Sequence, residues 1–358
     1  MANAQENELN YVFGDQLPDS GRTLPVAEGI CWLRMRLPFA LDHINLWLLR
    51  DHEDTPAGRR EGWAIVDCGI DNEGTRAAWE QVFANELRGL PVLRVICTHM
   101  HPDHIGLAHW LTAKWQCRLW ISATDWNAAR VASSAIGDAH SGHGAADFYA
   151  LHGLSDPTAL AEVRARSNLY ASMVQQVPER FRRLMHGMRL RIGAHEWQCI
   201  AGYGHAPEHI ALHCAALDTL IAGDMVLPRI STNISVYDTE PEANPLPLYL
   251  DSISAMRSLP ADTLVLPSHG KPFTGLHRRI DQLLRHHDER CSEVLQACAG
   301  TPRSAAELLA VMFKRELDMH QTTFALGEAV AHVHALREAG QLKQVLHGDG
   351  VIRYVTAA

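Results

Sequence analysis

The sequence lacks the long apolar stretch of a membrane protein and the leader of an exported one. No segment of its 358 residues approaches the roughly 18 consecutive apolar residues that a membrane-spanning helix needs. The first ten residues, MANAQENELN, contain no basic start followed by an apolar run, which is the pattern of a secretory signal. These absences predict a protein without membrane contact that resides in the cytoplasm.

Paired cysteines and an excess of positive charge are also missing. The eight cysteines form no C-x-x-C pair and most lie in apolar segments, so we expect buried free thiols rather than disulfides or a metal cluster. Lys and Arg total 32 against 41 Asp and Glu, and the formal net charge of -9 repels phosphate backbones. Nucleic acid is therefore not the expected default partner. Histidine, by contrast, is abundant, with 22 residues.

Apolar segments in the first 272 residues predict strands interleaved with helices. Three closely spaced segments between residues 31 and 70 indicate antiparallel strands, because the connections are too short for crossover helices. Helical spacing over 75–87 and 105–115 alternates with the strands LPVLRVICTH and RLWIS. Residues 125–187 interrupt this order with helical patches, which predict a helical cap inserted into the domain. Strands then resume and end with TLVLPSHG.

The last part of the chain is predicted to be helical with a terminal hairpin. Apolar residues at 3-4-3 spacing mark one long amphipathic helix within residues 273–300, which we expect to link two domains. Two shorter helices over 304–316 and 322–339, with a hairpin turning at Asp349-Gly350, have the outline of a winged helix over residues 301–358. That segment carries six basic and six acidic residues. A role in packing or homodimer formation is therefore favoured over nucleic-acid binding.

Histidine and aspartate cluster on the loop that leaves a buried strand. Within the segment T-H-M-H-P-D-H stand three imidazoles and one carboxylate, those of His99, His101, Asp103 and His104. Imidazole and carboxylate are ligands that zinc and similar first-row ions accept. Three further polar residues each follow an apolar strand directly, namely His205, Asp224 and His269. Since a sheet edge would deliver all of them to one place, the sequence predicts a metal centre.

The spacing H-x-H-x-D-H, followed by G-H-x-P, G-D and P-x-H-G, resembles that of the metallo-β-lactamase superfamily over roughly residues 30–272. The resemblance implies an α/β (α+β) fold, an αββα sandwich with a helical insertion, in which residues 1–272 form the catalytic domain. It also implies two metal ions, one held by His99, His101 and His205, the other by Asp103, His104 and His269, with Asp224 bridging them. Asp67, in I-V-D-C-G, matches the superfamily's early D-x-G turn and would support the ligands from behind. Ser268 replaces a glycine common in the family, a small change that should leave His269 in place.

The resemblance further implies the chemistry of the site. Two divalent ions, zinc foremost with iron or manganese also compatible, would lower the pKa of a bridging water toward neutrality and make hydroxide the nucleophile. Asp103, as the catalytic residue, or a metal-bound water would take up and deliver the proton. His209, four residues after His205, is an alternative for the third histidine ligand, although the family pattern places the ligand at the first of the two.

This sequence differs from several branches of the superfamily, and each difference excludes the substrate of one branch. The missing export signal and the presence of Asp224 argue against β-lactam hydrolysis, and His101 stands where oxygen-reducing di-iron relatives carry glutamate. The winged-helix tail replaces the helical region with which glyoxalase II would bind glutathione. The prediction that remains is a hydrolase of a small ester, above all a thioester such as an acyl-CoA.

Two other functions stay open at this point. One is an endoribonuclease on single-stranded RNA, because one branch of the superfamily pairs this catalytic domain with a winged helix. The other is a ligand-binding or regulatory protein that keeps its metals with little turnover, of the kind found among quinolone-signalling relatives. An intact set of ligands is compatible with all three.

The insertion and several arginines are candidates for substrate contact. Phe148, Tyr149 and Leu151 would form an apolar wall for an acyl group, and coenzyme A phosphates would meet Arg182, Arg183 and Arg229. An insertion that merely extends the core, and arginines that are simply solvated, are the competing interpretations. The other histidines considered are predicted to be solvated or structural, namely His140, His143, His286, His287, His332 and His334.

Overall fold

Seven strands form the first sheet in the computed structural model, which describes residues 4–134, 142–166 and 169–357. In chain order, which is also their order in the sheet, they are β1 (Leu24–Ala27), β2 (Ile30–Arg36), β3 (His43–Thr55), β4 (Gly58–Val66), β5 (Val92–Ile96), β6 (Arg118–Ser122) and β7 (Phe181–Leu184). The first four are antiparallel, which confirms the predicted group of three, now β2, β3 and β4. From β4 onward neighbours are parallel, because helices connect them.

Five strands form the second sheet. They are β8 (Arg189–Ile192), β9 (His195–Gly202), β10 (His209–Cys214), β11 (Thr219–Gly223) and β12 (Leu264–Pro267), in the order β12-β11-β10-β9-β8. Every residue of β10 and β11 is buried, as expected for apolar strands covered on both faces. Trp32 and Trp47 of the first sheet share one buried cluster with Trp197 of the second. The two sheets therefore face each other as a sandwich.

Four helices belong to the outer side of the first sheet: α1 (Glu73–Asn85), α2 (Pro102–Ile105), α3 (Ala108–Trp115) and α4 (Ala123–Ser134). Trp79 of α1 packs in one cluster with Ile65 and Val95 of the sheet. The helix predicted over 105–115 is α3, which ends at Trp115 as predicted but starts three residues later, because the chain breaks between α2 and α3. At the break, Gly106 packs so closely on the turn before α1 that a Cβ would lie 2.8 Å from the backbone nitrogen of Asp71. Helical spacing does not reveal such a backbone contact.

In the predicted insertion, residues 125–187, the part that the structure describes contains three more helices and one strand. The helices are α5 (His143–Leu151), α6 (Pro157–Ala165) and α7 (Leu169–Met173), and the strand is β7, which extends the first sheet beside β6. The backbone carbonyl of His152, just after α5, accepts a hydrogen bond from Ala306 N at 3.1 Å. The segment thus contacts the C-terminal region as well as the first sheet. His140, predicted to be solvated, lies outside the described residues.

Two helices cover the outer face of the second sheet, α8 (Pro245–Ala255) and α9 (Leu276–Ala297). Tyr249 of α8 and Ile280 of α9 lie in one buried cluster with Ala211 and Leu220 of the sheet. Helices therefore lie outside both sheets, which confirms the predicted αββα sandwich. The long helix predicted within residues 273–300 is α9.

The chain ends with α10 (Ala305–Met312), α11 (Met319–Glu338) and the hairpin of β13 (Leu342–Leu346) and β14 (Ile352–Thr356). α11 starts three residues before its predicted start, because Asp318 caps it and exchanges hydrogen bonds with Gln321. Tyr354 of β14 forms an antiparallel bridge with Arg303, ahead of α10. Leu308 and Leu326 belong to the same buried cluster as α8 and α9, so this region packs onto the sandwich.

The structure bears on two further predictions, those of free cysteines and of a chain without a membrane-spanning helix. All eight cysteines lie within the described ranges and are free thiols, as expected. Cys68 and Cys97 are buried with their sulfur atoms 3.6 Å apart. Across the described part of the chain, the helices are all too short or too polar to cross a membrane.

Candidate metal centre

Seven polar side chains meet at one edge of the sandwich, each from a segment that directly follows a strand. The loop after β5 supplies four of them, and the segments after β9, β11 and β12 supply one each. Their ligand atoms form two groups in which all atoms lie within 4.8 Å of one another. The first group contains His99, His101, His205 and Asp224, and the second contains Asp103, His104 and His269. The structure thus brings together all seven residues that the sequence singled out.

In the first group, three histidines surround one carboxylate oxygen. His99 Nε2 lies 2.9 Å from His101 Nδ1 and 3.3 Å from His205 Nε2. His205 Nε2 lies 3.3 Å from Asp224 Oδ2. Burial lowers the pKa of both His99 and His101 well below the usual value. Both imidazoles are therefore neutral, which is the form that binds metal.

The second group surrounds the other oxygen of the same carboxylate. Asp224 Oδ1 lies 3.6 Å from His104 Nε2 and 3.5 Å from His269 Nε2. Asp103 Oδ2 lies 3.7 Å and 3.5 Å from the same two nitrogens. Burial would raise the pKa of the Asp224 carboxyl, but His269 and His104 hold it well below its usual range. The ionised Asp224 therefore lies between the two groups, with one oxygen facing each.

These donors fit divalent metal ions. His104 Nε2 and Asp224 Oδ1 are both buried and have no hydrogen-bond partner among the described residues. Such atoms are costly to leave unpaired, and a cation between them would satisfy both. Imidazole nitrogens with carboxylate oxygens are the donor set of zinc and related first-row ions. The site therefore has the chemistry of a metal centre.

Hydrogen bonds behind the histidines fix which ring nitrogen points into the site. Asp67, fully buried, lies behind His104 with Oδ2 2.9 Å from Nδ1. The Nδ1 atoms of His205 and His269 lie 2.7 Å from the backbone oxygens of Asn233 and His43. Since these oxygens only accept, all three rings carry a proton on Nδ1, so Nε2 is the atom with which each ring would bind a metal ion. The predicted supporting residue, Asp67, is therefore one of several such partners.

His209, the alternative third histidine, lies outside both groups. Its Nε2 accepts a hydrogen bond from the backbone N–H of Asp224 at 3.2 Å. Burial lowers its pKa to about 3, so the ring is neutral and can accept. The contact requires Gly223, because a Cβ at that position would lie 2.1 Å from His209 Nε2. His209 thus positions Asp224, while His205 occupies the ligand position.

Asp125 supports the site and was missed as a functional residue at the sequence level. Its buried carboxylate accepts from Met100 N at 2.8 Å and from Glu208 N at 2.6 Å. It therefore joins the loop of His99 and His101 to the loop of His205. The only local sign is its place in the first turn of α4, where Ser122 also contacts it. Neither long-range contact leaves a sequence pattern.

Replacing Asp125 by asparagine should loosen both loops. Asparagine has one oxygen that accepts, whereas Met100 N and Glu208 N each donate to a separate oxygen of Asp125. One of these two backbone donors would face the amide NH2 group and lose its hydrogen bond. We expect the free energy of unfolding to fall by ~1–3 kcal/mol, measured by chemical denaturation. Asp156→Asn is the matched control, because Asp156 caps α6 and asparagine caps equally well. Equal stability of the two variants would contradict the role of Asp125.

The predicted substrate residues lie in different surroundings. Phe148 and Tyr149 are buried in the cluster shared with the C-terminal helices, and Phe148 packs against the ring of His152. Leu151 is 39% exposed. Arg229 forms an ion pair with Glu6 at 3.4 Å. Burial among core residues favours the competing interpretation, in which the insertion merely extends the core. A pocket role for Phe148 and Tyr149 therefore stays a prediction.

The predicted structural histidines and the other two arginines belong to neither group of ligand candidates. His287 and His332 are buried and their rings stack between α9 and α11, with centroids 5.4 Å apart. His334 Nδ1 donates to the backbone oxygen of Ala243. Arg182 lies over the ring of Trp120, and its neighbour Arg183 on β7 is exposed.

Comparisons with known proteins agree with this geometry. The family model of the metallo-beta-lactamase superfamily matches residues 42–269, and that of the metallo-beta-lactamase-like C-terminal domain matches residues 291–357. The chain is 53% identical to a beta-lactamase domain protein from Burkholderia ambifaria, whose crystal structure superimposes with a TM-score of 0.93 and covers 99% of this chain and 100% of that one. A metallo-beta-lactamase family protein from Thermus thermophilus is 25% identical, with a TM-score of 0.72 and coverage of 92% and 99%.

A curated relative extends the match at lower identity. The probable metallo-hydrolase YqjP of Bacillus subtilis is 21% identical over 332 residues, which are 90% of this chain and 97% of that protein. The superfamily match alone covers well over half of the chain. The protein belongs to the metallo-beta-lactamase superfamily and carries that superfamily's C-terminal domain.

Proposed function

We propose that the protein is a hydrolase that uses two divalent metal ions, zinc foremost, to cleave a small ester, above all a thioester. The observation that carries this proposal is the position of Asp224, whose two carboxylate oxygens face two separate groups of ligand atoms. One such carboxylate can hold two ions side by side. The probable metallo-hydrolase among its relatives supports the reaction class.

The seven residues divide the work of holding the ions. One ion would be held by His99, His101 and His205, the other by Asp103, His104 and His269, and both by Asp224. When bound, a pair of divalent ions supplies a water of lowered pKa and polarises the oxygen of the bond to be cleaved. This chemistry needs no serine or cysteine nucleophile.

The protein's own residues would orient the metal ligands and transfer a proton to the leaving group. The side chain of Asp103 is 18% exposed, against 9% for Asp224, so it is the more accessible of the two carboxylates. It can take up a proton beside the reacting atoms and pass it to the leaving group. Because their Nδ1 atoms are held from behind, His104, His205 and His269 keep their orientation during the reaction.

We also propose that residues 301–358 form a winged helix. The order α10, α11 and hairpin, with the added bridge between Arg303 and Tyr354, supports this description. Exposed Val345 and Leu346 on β13 and the balanced charge of the segment support protein packing over RNA binding. Single-stranded RNA is accordingly the competing substrate and not the proposed one.

Metal analysis and a substrate panel test the proposal. We expect purified protein to carry about two ions per chain and to hydrolyse thioesters faster than a lactone or single-stranded RNA. His101→Ala should lose metal and turnover, whereas His347→Ala, an exposed histidine of the terminal hairpin, should retain both. A protein that binds no metal even after reconstitution would overturn the proposal. Cleavage of RNA alone would replace the ester by a phosphodiester.

A further inference from the structure

Residues 225–236, here called the Asp224 loop, connect the metal centre with the C-terminal helices. The loop starts directly after Asp224. Near its other end, the backbone oxygen of Asn233 accepts a hydrogen bond from His205 Nδ1 at 2.7 Å. Thr232 Oγ1 also donates to the backbone oxygen of Asp224. The position of this loop therefore affects two of the seven ligand candidates.

Helix α11 packs against the loop at Ser235. Ser235 Oγ lies 3.0 Å from Asn233 Oδ1 and 3.4 Å from the backbone oxygen of Phe324, so its one proton serves one of these acceptors or is shared. Val236 N donates to the backbone oxygen of Gly327 at 3.1 Å. The loop and the helix thus meet through backbone atoms and the buried hydroxyl of Ser235, and Ile234 and Leu326 lie in one buried apolar cluster.

Glycine at position 327 permits this close approach. A Cβ on Gly327 would lie 2.8 Å from Ser235 Cβ and 2.9 Å from its Oγ. Glycine in the middle of a helix weakens it relative to alanine. Its presence here is explained by the contact with the loop, since any larger residue would push Ser235 away.

Helix α9 holds the same loop from another side. Arg279 is 1% exposed, and its Nε and Nη2 donate to the backbone oxygens of Leu227 and Ile230 at 2.6 and 2.8 Å. Its Nη1 donates to Gln282 Oε1. The buried guanidinium therefore uses two of its donor groups to hold the backbone of the loop in place.

We infer that the C-terminal helices support the metal centre from behind, because α9 and α11 set the position of the Asp224 loop and, through Asn233, the orientation of His205. Ser235 and Gly327 are positioning residues in this arrangement. The inference rests on the proposed metal site. It adds that metal binding at this site depends on residues that follow β12, the last strand of the sandwich.

Cobalt binding to the metal-stripped full-length protein tests the inference. In Ser235→Ala the loop loses its hydroxyl contact, and we expect cobalt affinity to fall about 10-fold with an altered cobalt absorption spectrum. This is the lower end of the loss for partners that contact a metal ligand directly, because Ser235 acts on His205 through Asn233. Ser304→Ala is the matched control, since this buried serine caps α10 in the same region. It should lower the melting temperature and leave cobalt affinity unchanged.

A second variant separates positioning from stability. Gly327→Ala improves the intrinsic helix propensity of α11 but drives a Cβ into Ser235, so we expect weaker cobalt binding in a protein that remains folded. Wild-type affinity and spectrum in both Ser235→Ala and Gly327→Ala would overturn the inference, as would equal loss of affinity in Ser304→Ala. Wild-type protein that binds no cobalt would refute the proposed function and this inference together.

Discussion

Asp224→Asn should reduce the metal content from about two ions per chain to one or fewer and lower turnover by more than ~100-fold. Loss of a partner behind a metal ligand costs up to about 100-fold, and a residue that faces both groups of ligand atoms should cost more. Asparagine keeps the shape of the side chain but removes the negative charge that two cations would share. Metal analysis of the purified protein and steady-state kinetics on a thioester measure the two effects.

The control for this variant is Asp262→Asn. Asp262 is exposed on the turn before β12 and takes no part in either group. It should retain wild-type metal content and turnover, and the circular dichroism of both variants should match that of the wild type. Full metal content and turnover in Asp224→Asn would remove the observation on which the proposed function depends.

The seven side chains that lie together could be grouped from the sequence because each comes from a segment that directly follows a strand. Apolar strands are visible as local runs, and a polar residue at the end of such a run lies at the sheet edge. His205, Asp224 and His269 could therefore be placed together with His99 although more than 100 residues separate the first and last of them. The order of strands and helices could be predicted because it, too, depends on local apolar patterns.

Contacts made by the backbone were not predictable. The side chains of Asp125, His205 and Arg279 each bond to a backbone N–H or carbonyl group. Nearly every residue has these groups, so no residue type marks the other end of the contact. The break at Gly106 has the same origin, a close approach between backbone segments. Phe148 and Tyr149 show a related limit, because an apolar pattern does not distinguish a pocket wall from a buried helix interface.

Asp67 shows how one buried carboxylate controls the state of a ligand. It accepts from Thr98 N at 2.8 Å and lies 2.9 Å from His104 Nδ1. Its backbone has a φ of 61°, a left-handed conformation that asparagine adopts as readily as aspartate. Asp67→Asn therefore preserves the turn and changes only the hydrogen-bonding character of the side chain.

In Asp67→Asn, the amide oxygen can still accept from Thr98, which turns the amide N–H group toward His104. That ring must then accept at Nδ1 and carry its proton on Nε2, the atom facing Asp103 and Asp224, where it can no longer bind an ion. We expect affinity for the second ion to fall about 10- to 100-fold, measured by chelator competition. Asp51→Asn, at a buried aspartate paired with Arg94, should lower stability while metal affinity stays at the wild-type value. Unchanged affinity in Asp67→Asn would show that the tautomer of His104 is fixed by something other than this carboxylate.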